Sequence, residues 1–332
     1  MLNVALLSRW HVHANDYAQQ AKANDGIQIS AVWDEEPGRG KQWAEELAVP
    51  FYEDLDALLS QSDIDAVIVD TPTNMHKEVI VKAAQYKKHV FTEKVLAITV
   101  DDYQEIMKAI EAAGVELMVS LPRLTEDYYL RAQKVLDEGL LGTLTTIRCR
   151  YAHNGAVPSE NSATGWLPPH FFDKEQCGGG ALIDLGAHGI YLSNRLAGPA
   201  RSLSAVLQST SDQYEVDDNA AVLVDYQSGA IGILETSFLS SGSPFLLELY
   251  GTEGTLIVED ESVRLRAGGE WKEVTDPVSA PMPMEQWVQA INKTAEPSLK
   301  PEDFYNLTVM NQAAAKSNET GERVLLEDII TK

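Results

Sequence analysis

The chain has little of several things that define other protein classes. Its 332 residues hold two cysteines, Cys149 and Cys177, too few for a disulfide framework and without neighbours at metal-binding spacing. Buried free thiols in a reducing cytosol and no metal site are therefore expected. No apolar run approaches the ~20 residues that cross a bilayer. The opening "MLNVALLSRW" lacks both the basic start and the apolar length of a secretory leader. The expectation is a cytoplasmic protein with no membrane partner. Basic residues are scarce as well: 26 Lys and Arg face 50 Asp and Glu, a formal net charge of −24 that repels nucleic-acid phosphates. Screening limits that repulsion to about 8 Å at physiological salt, so local donors decide whether an anionic cofactor is held.

The most telling absence is local. "LLSRWHVHAND", residues 6–16, follows the first apolar run, where a dinucleotide-binding fold carries a glycine-rich turn, and it contains no glycine. In such a turn the first glycine permits the bend, the second lets backbone meet pyrophosphate, and the third lets helix and strand pack closely. Ser8, Trp10 and His13 stand at those places. The N-terminus of the following helix still offers unpaired N–H groups and a positive dipole end, whatever the side chains. Ser8, Arg9 and His11 add side-chain donors beside Trp10 and Val12. Equally, Arg9 is a solvated residue and the histidines are packing residues.

What is present reads as two domains, and 44% hydrophobic content is enough to give each a core. Strand-like and helix-like runs alternate through the first third: "NVALL", "HANDYAQQAKAND", "IQISAVWD", "EPGRGKQWAEELA", "DAVIVDTP", "HKEVIVKAAQY" and "KHVFTEK". Apolar runs such as "AVIV" suit strands of a parallel sheet covered on both faces. A doubly wound α/β domain over residues 1–121 is predicted, followed by an α+β domain over 122–332 with a large, mainly antiparallel open sheet. Its final helix is expected to pack back on the first domain. The strands of the second domain are "TLTTIRCRY", "RSLSAVLQ", "AAVLVDY", "AIGILETSF", "FLLELYG" and "GTLIVED", separated by turns such as "YQSGA".

Asp34 ends the second strand, 21 residues beyond His13 (34 − 13), near the separation at which a carboxylate accepts ribose hydroxyls. That favours NAD over NADP, whose 2′-phosphate Asp34, Glu35 and Glu36 would repel, with Arg39 leaving room for the latter. Asp34 is equally a candidate N-cap of the second helix. After the third strand, Thr71, Pro72, Asn74 and His76 of "DTPTNMHKE" lie at the carboxyl edge of the sheet, where open α/β folds bind ligands, and Glu93 and Lys94 follow the fourth strand there. His76 is either a pocket residue or an ordinary first-turn histidine, and Lys94 taken alone is as easily a surface lysine.

"CGGGALIDLGAHGIYL" is the most specific stretch. A glycine inside a helix costs roughly 1 kcal/mol against alanine, so three at a helix start imply a close approach by something. Asp184 and His188 are spaced i, i+4 on one helical face, with Tyr191 a further turn along. Such a pair suits general acid–base work near neutral pH, or is a satisfied structural pair. The long segment "YAHNGAVPSENSATGWLPPHFFDKEQ" brings Tyr151, His153, Trp166 and His170, which either face a substrate or pack on a neighbouring subunit.

"AVWD", "DTPTNMH", "EK" followed by "LA", "GLLGTL", "GGGALIDLGAH" and "SNETGERVLL" occur in an order that resembles the Gfo/Idh/MocA oxidoreductase family across nearly the whole chain. The resemblance implies a Rossmann domain, a second domain whose open sheet forms a dimer or tetramer interface, and NAD(P)-linked redox chemistry on sugars, cyclitols or polyols. Carried over by position, it makes Lys94, Asp184 and His188 catalytic and sets Arg123 of "LPRL" near the substrate. Two departures stand out: the glycine-free turn, and Val95 where the family has proline. The alternative is a catalytically silent sugar-binding or regulatory protein on the same fold, with Ser8-Arg9-Trp10 blocking the cofactor.

Overall fold

The computed structural model describes residues 1–160 and 162–330. The chain divides into two compact units, Met1–Ser120 with Pro281–Lys300, and Leu121–Ala280 with Pro301–Lys332. The expected second domain is therefore interrupted, because one segment near its end belongs to the first unit.

The first unit runs β1 (Leu2–Leu7), α1 (Ala14–Ala23), β2 (Ile27–Trp33), α2 (Pro37–Leu47), β3 (Phe51–Tyr52), α3 (Leu55–Leu59), β4 (Ala66–Val69), α4 (His76–Gln85), β5 (His89–Thr92), α5 (Val100–Ala113) and β6 (Leu117–Val119). Its strands form one parallel sheet in the order β3-β2-β1-β4-β5-β6, a doubly wound arrangement that reverses direction between β1 and β4. Both strands at the reversal are covered on each face, so Val4–Leu7 and Ala66–Val69 are buried without alternation. Each such side chain contributes roughly 1.5–3 kcal/mol by leaving water. The sequence gives no sign of β3, because two residues carry no period. Helix α3 is equally short and depends on its cap, the Asp54 carboxylate accepting the Ala57 N–H at 2.7 Å.

The second unit continues with α6 (Asp127–Asp137), β7 (Leu144–Ala152), α7 (Lys174–Cys177), α8 (Ala181–Asp184), α9 (Gly186–Ala197), β8 (Ala200–Gln208), β9 (Asn219–Tyr226), β10 (Ile231–Ser237), β11 (Leu246–Gly251), β12 (Gly254–Glu259), β13 (Ser262–Ala267) and β14 (Lys272–Glu273). Helix α10 (Pro283–Ile291) then returns to the first unit, where it packs on β5 and β6 with Trp287 fully buried against Phe91. Helix α11 (Pro301–Thr320), β15 (Val324–Leu325) and α12 (Glu327–Ile330) complete the second unit. The helix that rejoins the first unit is thus α10, not the final one. The nine-stranded sheet has the order β14-β13-β12-β11-β7-β10-β9-β8-β15 and is antiparallel except where β7 meets β10. Helices α9 and α11 cover one of its faces.

Both cysteines are free thiols. Cys149 is buried, which pushes its thiol up to about 12 and keeps it neutral. Cys177 is only half-buried, against the expectation, and its thiol donates to the His170 carbonyl at 3.1 Å. Among the described residues, no helix is long and apolar enough to cross a membrane.

Candidate active site

In the first unit the glycine-free turn is held by the chain itself. Ser8 takes the left-handed conformation, φ +77°, that a glycine would supply, and its hydroxyl accepts the Trp10 N–H at 3.1 Å. The Asp34 carboxylate accepts the Arg9 N–H at 2.9 Å, the Asp70 carbonyl accepts the His11 N–H at 3.2 Å, and the His11 ring accepts the His13 N–H at 3.2 Å. The Trp10 indole is buried and Val12 is exposed. Asp34 was expected to receive a ribose, yet its acceptor positions are filled. Oδ2 takes Arg9 N–H and Arg39 Nε, and Oδ1 takes Glu36 N–H at 2.8 Å and Arg39 Nη2 at 2.6 Å. A carboxylate has about four lone-pair sites, so this one is saturated. It is not the N-cap either: that is Glu36, without a side-chain bond. Asp34 fastens the turn to α2 instead.

The carboxyl ends of β4 and β5 carry a buried polar group of residues. Asp70 is fully buried, and neither of its carboxyl oxygens has a hydrogen-bond partner. Burial, reinforced by the nearby Glu93 charge, pushes it well above the usual carboxylate range. The Tyr17 hydroxyl donates to Glu93 Oε2, and burial together with that carboxylate raises the phenol. The Thr71 hydroxyl is buried without a partner, Pro72 is buried, and Asn74 is exposed. Lys94 is buried with Nζ 4.0 Å from Glu93 Oε1, and the Lys94–Val95 peptide is cis although no proline follows. His76 Nδ1 donates to the Val95 carbonyl at 3.0 Å, and burial lowers its ring to about 4, so it is neutral. His76 therefore pins the segment that carries Lys94 rather than lining a pocket.

In the second unit, the single helix expected around Asp184 and His188 is two, α8 and α9, joined at Leu185. His188 Nδ1 lies 2.7 Å from the Tyr191 hydroxyl, and Tyr191 is almost wholly buried. The Tyr151 ring meets His188 edge-on at 5.3 Å, and the Arg123 guanidinium lies over the Tyr151 face at 3.9 Å. Arg123 Nη1 donates to the Tyr128 hydroxyl at 2.9 Å, and the guanidinium is also 5.0 Å from the Phe245 ring centre. Burial opposes its charge while the surrounding phenols favour it, and it stays protonated.

The glycines before α8 prove to serve the chain itself. Gly178 ends α7 at φ +80°, and a Cβ on Gly180 would sit 1.9 Å from the Asp217 carbonyl oxygen. That closeness exists because Asp217 holds the start of α8: its carboxylate accepts Gly180 N–H at 2.9 Å and Leu182 N–H at 2.7 Å, and its carbonyl accepts Ala181 N–H.

Two models of one family match the chain in order: an oxidoreductase family with an NAD-binding Rossmann fold over residues 10–121, and the GFO/IDH/MocA C-terminal domain over residues 129–257. The chain belongs to the GFO/IDH/MocA oxidoreductase family. Among curated members, it is 28% identical to the 2,7-anhydro-N-acetylneuraminate hydratase of Escherichia coli over 77% of this chain and 68% of that protein. It is 30% identical to the scyllo-inositol 2-dehydrogenase (NAD(+)) of Bacillus subtilis over 70% of this chain and 66% of that protein. An oxidoreductase from Agrobacterium radiobacter, solved with NAD+, L-tartaric acid and magnesium, shares the fold at TM-score 0.83, with 20% identity over 98% of this chain and 99% of that one.

A nicotinamide dinucleotide fits the donor and acceptor set of this GFO/IDH/MocA chain unevenly. The buried, partnerless Thr71 hydroxyl and Asp70 carboxyl mark a carboxyl edge that is incomplete without a ligand. Around the turn, the side chains are engaged within the chain: Arg9 with Asn15 and Glu46, and the Ser8 hydroxyl with the Trp10 N–H and Arg39. A phosphate there would have to be held by the remaining N–H groups at the start of α1 or displace these contacts. Asp34, whose acceptor positions are taken by Arg9, Glu36 and Arg39, has none left for a ribose hydroxyl as the turn stands.

Of the other expected residues, Tyr151 joins Arg123 and His188, whereas His153 stacks on Phe238 with its ring planes 6° apart and Trp166 at 4.9 Å. Trp166 is exposed and donates to Asn154. His170 packs beside Phe171. Sequence reasoning passed over Asp70, Tyr17, Tyr128 and Phe245. Asp70 alone left a signal: a charged residue closing the run "AVIVD".

Proposed function

We propose that the protein is an NAD-preferring dehydrogenase or reductase acting on a CH–OH group of a sugar, cyclitol or related polyol. The observation that carries this reading is the His188–Tyr191 pair. A phenol both donates and accepts, so with Nδ1–H donating to Tyr191 the ring's Nε2 is the nitrogen that exchanges a proton with substrate. His188 takes the hydroxyl proton on oxidation and returns it on reduction, the Tyr191 bond persisting in both charge states. Asp184, at the end of α8 one turn before His188, positions the reacting hydroxyl. A nicotinamide, when bound, would supply or accept the hydride. Thr71, Asn74, Glu93, Val12 and the side chains of Arg9 and His11 would hold the cofactor.

NAD is favoured over NADP by charge. Arg39 is shared by Asp34, Glu35 and, at 3.6 Å, Glu36, so one cation faces three carboxylates where a 2′-phosphate would need a free one. Assembly into a dimer or tetramer is supported by the uncovered sheet face, where Val206, Leu223, Ile231 and Ile233 are exposed and Leu223 pairs directly with Ile233.

The test is turnover of a panel of inositols, hexoses and alditols with NAD+, followed by the appearance of reduced nicotinamide. His188→Ala is expected to lower kcat by about 10²–10⁴-fold while leaving NADH binding intact. Unchanged turnover in a folded variant contradicts the assignment. A second reading, a silent sugar-binding protein, is favoured by one observation: the N–H groups of Arg9, Trp10, His11 and His13 are already satisfied within the turn.

A further inference from the structure

Arg123 is out of place in the charge distribution. The chain has eleven arginines and an excess of acid, and nine of those arginines lie within 4.0 Å of a carboxylate. Arg266 is exposed and donates to a backbone carbonyl, so water compensates it. Arg123 alone is half-buried and has no carboxylate partner among the described residues. Its surroundings are neutral: the faces of Tyr151 and Phe245, the Tyr128 hydroxyl, and the Cys149 thiol kept protonated by burial. A guanidinium has five N–H donors, and the one hydrogen bond to Tyr128 leaves most of them uncommitted. Rings hold the cation in place but do not neutralise it, and a partly buried charge is expensive without a counter-ion. One aromatic ring, Tyr151, separates this cation from the imidazole of His188.

We propose that Arg123 is the binding site for an anionic group of the substrate, so that the polyol carries a carboxylate: a sugar acid rather than a neutral sugar. The flat guanidinium fork matches a carboxylate, and its single charge balances that group, whereas a phosphate ester near −2 would need a second cation. This inference rests on the reading of His188 as the group facing substrate.

The probes are D-glucuronate, its neutral counterpart D-glucose, and D-glucose 6-phosphate, each titrated into the full chain while the Arg123 Nε–Hε resonance and overall affinity are followed. Glucuronate is expected to shift that resonance and to bind at least tenfold tighter than glucose or glucose 6-phosphate. Arg123→Gln should close the gap between glucuronate and glucose, and Arg123→Lys should keep part of it. Equal affinity for glucuronate and glucose, or tighter binding of the phosphate, overturns the proposal. So does an Arg123→Gln variant that is less stable yet keeps the preference. If the variants fail to fold, the wild-type resonance decides alone: no glucuronate-specific shift overturns it. Polyol turnover without that shift removes the anion site and leaves the catalytic reading standing, whereas the shift without turnover does the reverse.

Discussion

Tyr191 and Asp70 show how much one side chain decides. In the proposed mechanism Tyr191 accepts from His188 Nδ1–H, so removing its hydroxyl takes away a partner that orients the ring. Tyr191→Phe should therefore lower kcat about tenfold. NADH affinity should be unchanged. Nitrogen NMR of His188 should show Nδ1–H in the wild type and a mixture in the variant, and identical spectra would count against the positioning role. Asp70 is raised by burial, so its sign is that of an acid stabilised in its protonated form. Its contribution to stability is present below the unfolded carboxylate pKa and is lost as pH rises above it. His76, lowered to about 4 by burial, runs the other way and costs stability as pH falls below ~6.5. Asp70→Asn should thus be more stable than wild type at pH ~8, by on the order of 1 kcal/mol or more, with the difference shrinking toward pH ~4. A melting series across pH checks this, and a constant difference would refute it. Asp184 and His188 could be singled out from their spacing, whereas Lys94 and Arg123 came to notice as site residues through the resemblance to the family. The saturation of Asp34 could not, since Arg39 and the Arg9 amide reach it only through the fold.

Among the elements, the turn and the glycine run show what spacing conveys and what it does not. The strands of the first sheet were legible because doubly buried runs such as "AVIV" are continuous in the sequence, and so were most strands of the second. The short β3, β14 and β15 were not, because two residues carry neither period nor cap. Of the three glycines, Gly180 meets the expected close approach, made by the chain's own Asp217 carbonyl, whereas Gly178 ends α7 in the left-handed conformation. Gly180→Ala should abolish folding of the second unit or destabilise it by at least about 3 kcal/mol, because the obstructing atom is backbone. Gly38→Ala, with open space around it inside α2, should raise stability by up to about 1 kcal/mol. Calorimetry of both variants distinguishes these outcomes, and a neutral Gly180→Ala would show that Asp217 does not hold α8 as described.

For the whole molecule, the uncovered sheet face and the excess of acid set opposing tendencies. A net charge of −24 keeps separate chains apart at low salt, while the apolar row through Leu223 and Ile233 favours association. Leu223→Asp should convert an oligomer to monomer in sedimentation without altering secondary structure, and an unchanged sedimentation coefficient would place the interface elsewhere. The same acidity makes cofactor capture depend on local donors, and the turn has kept few. Titration of the purified full chain with NADH and with NADPH, followed by nicotinamide fluorescence, measures that capture directly. NADH binding at micromolar affinity, with NADPH at least tenfold weaker, is the expected result. No binding of either nucleotide at millimolar concentration would mean that the self-satisfied turn has closed the site.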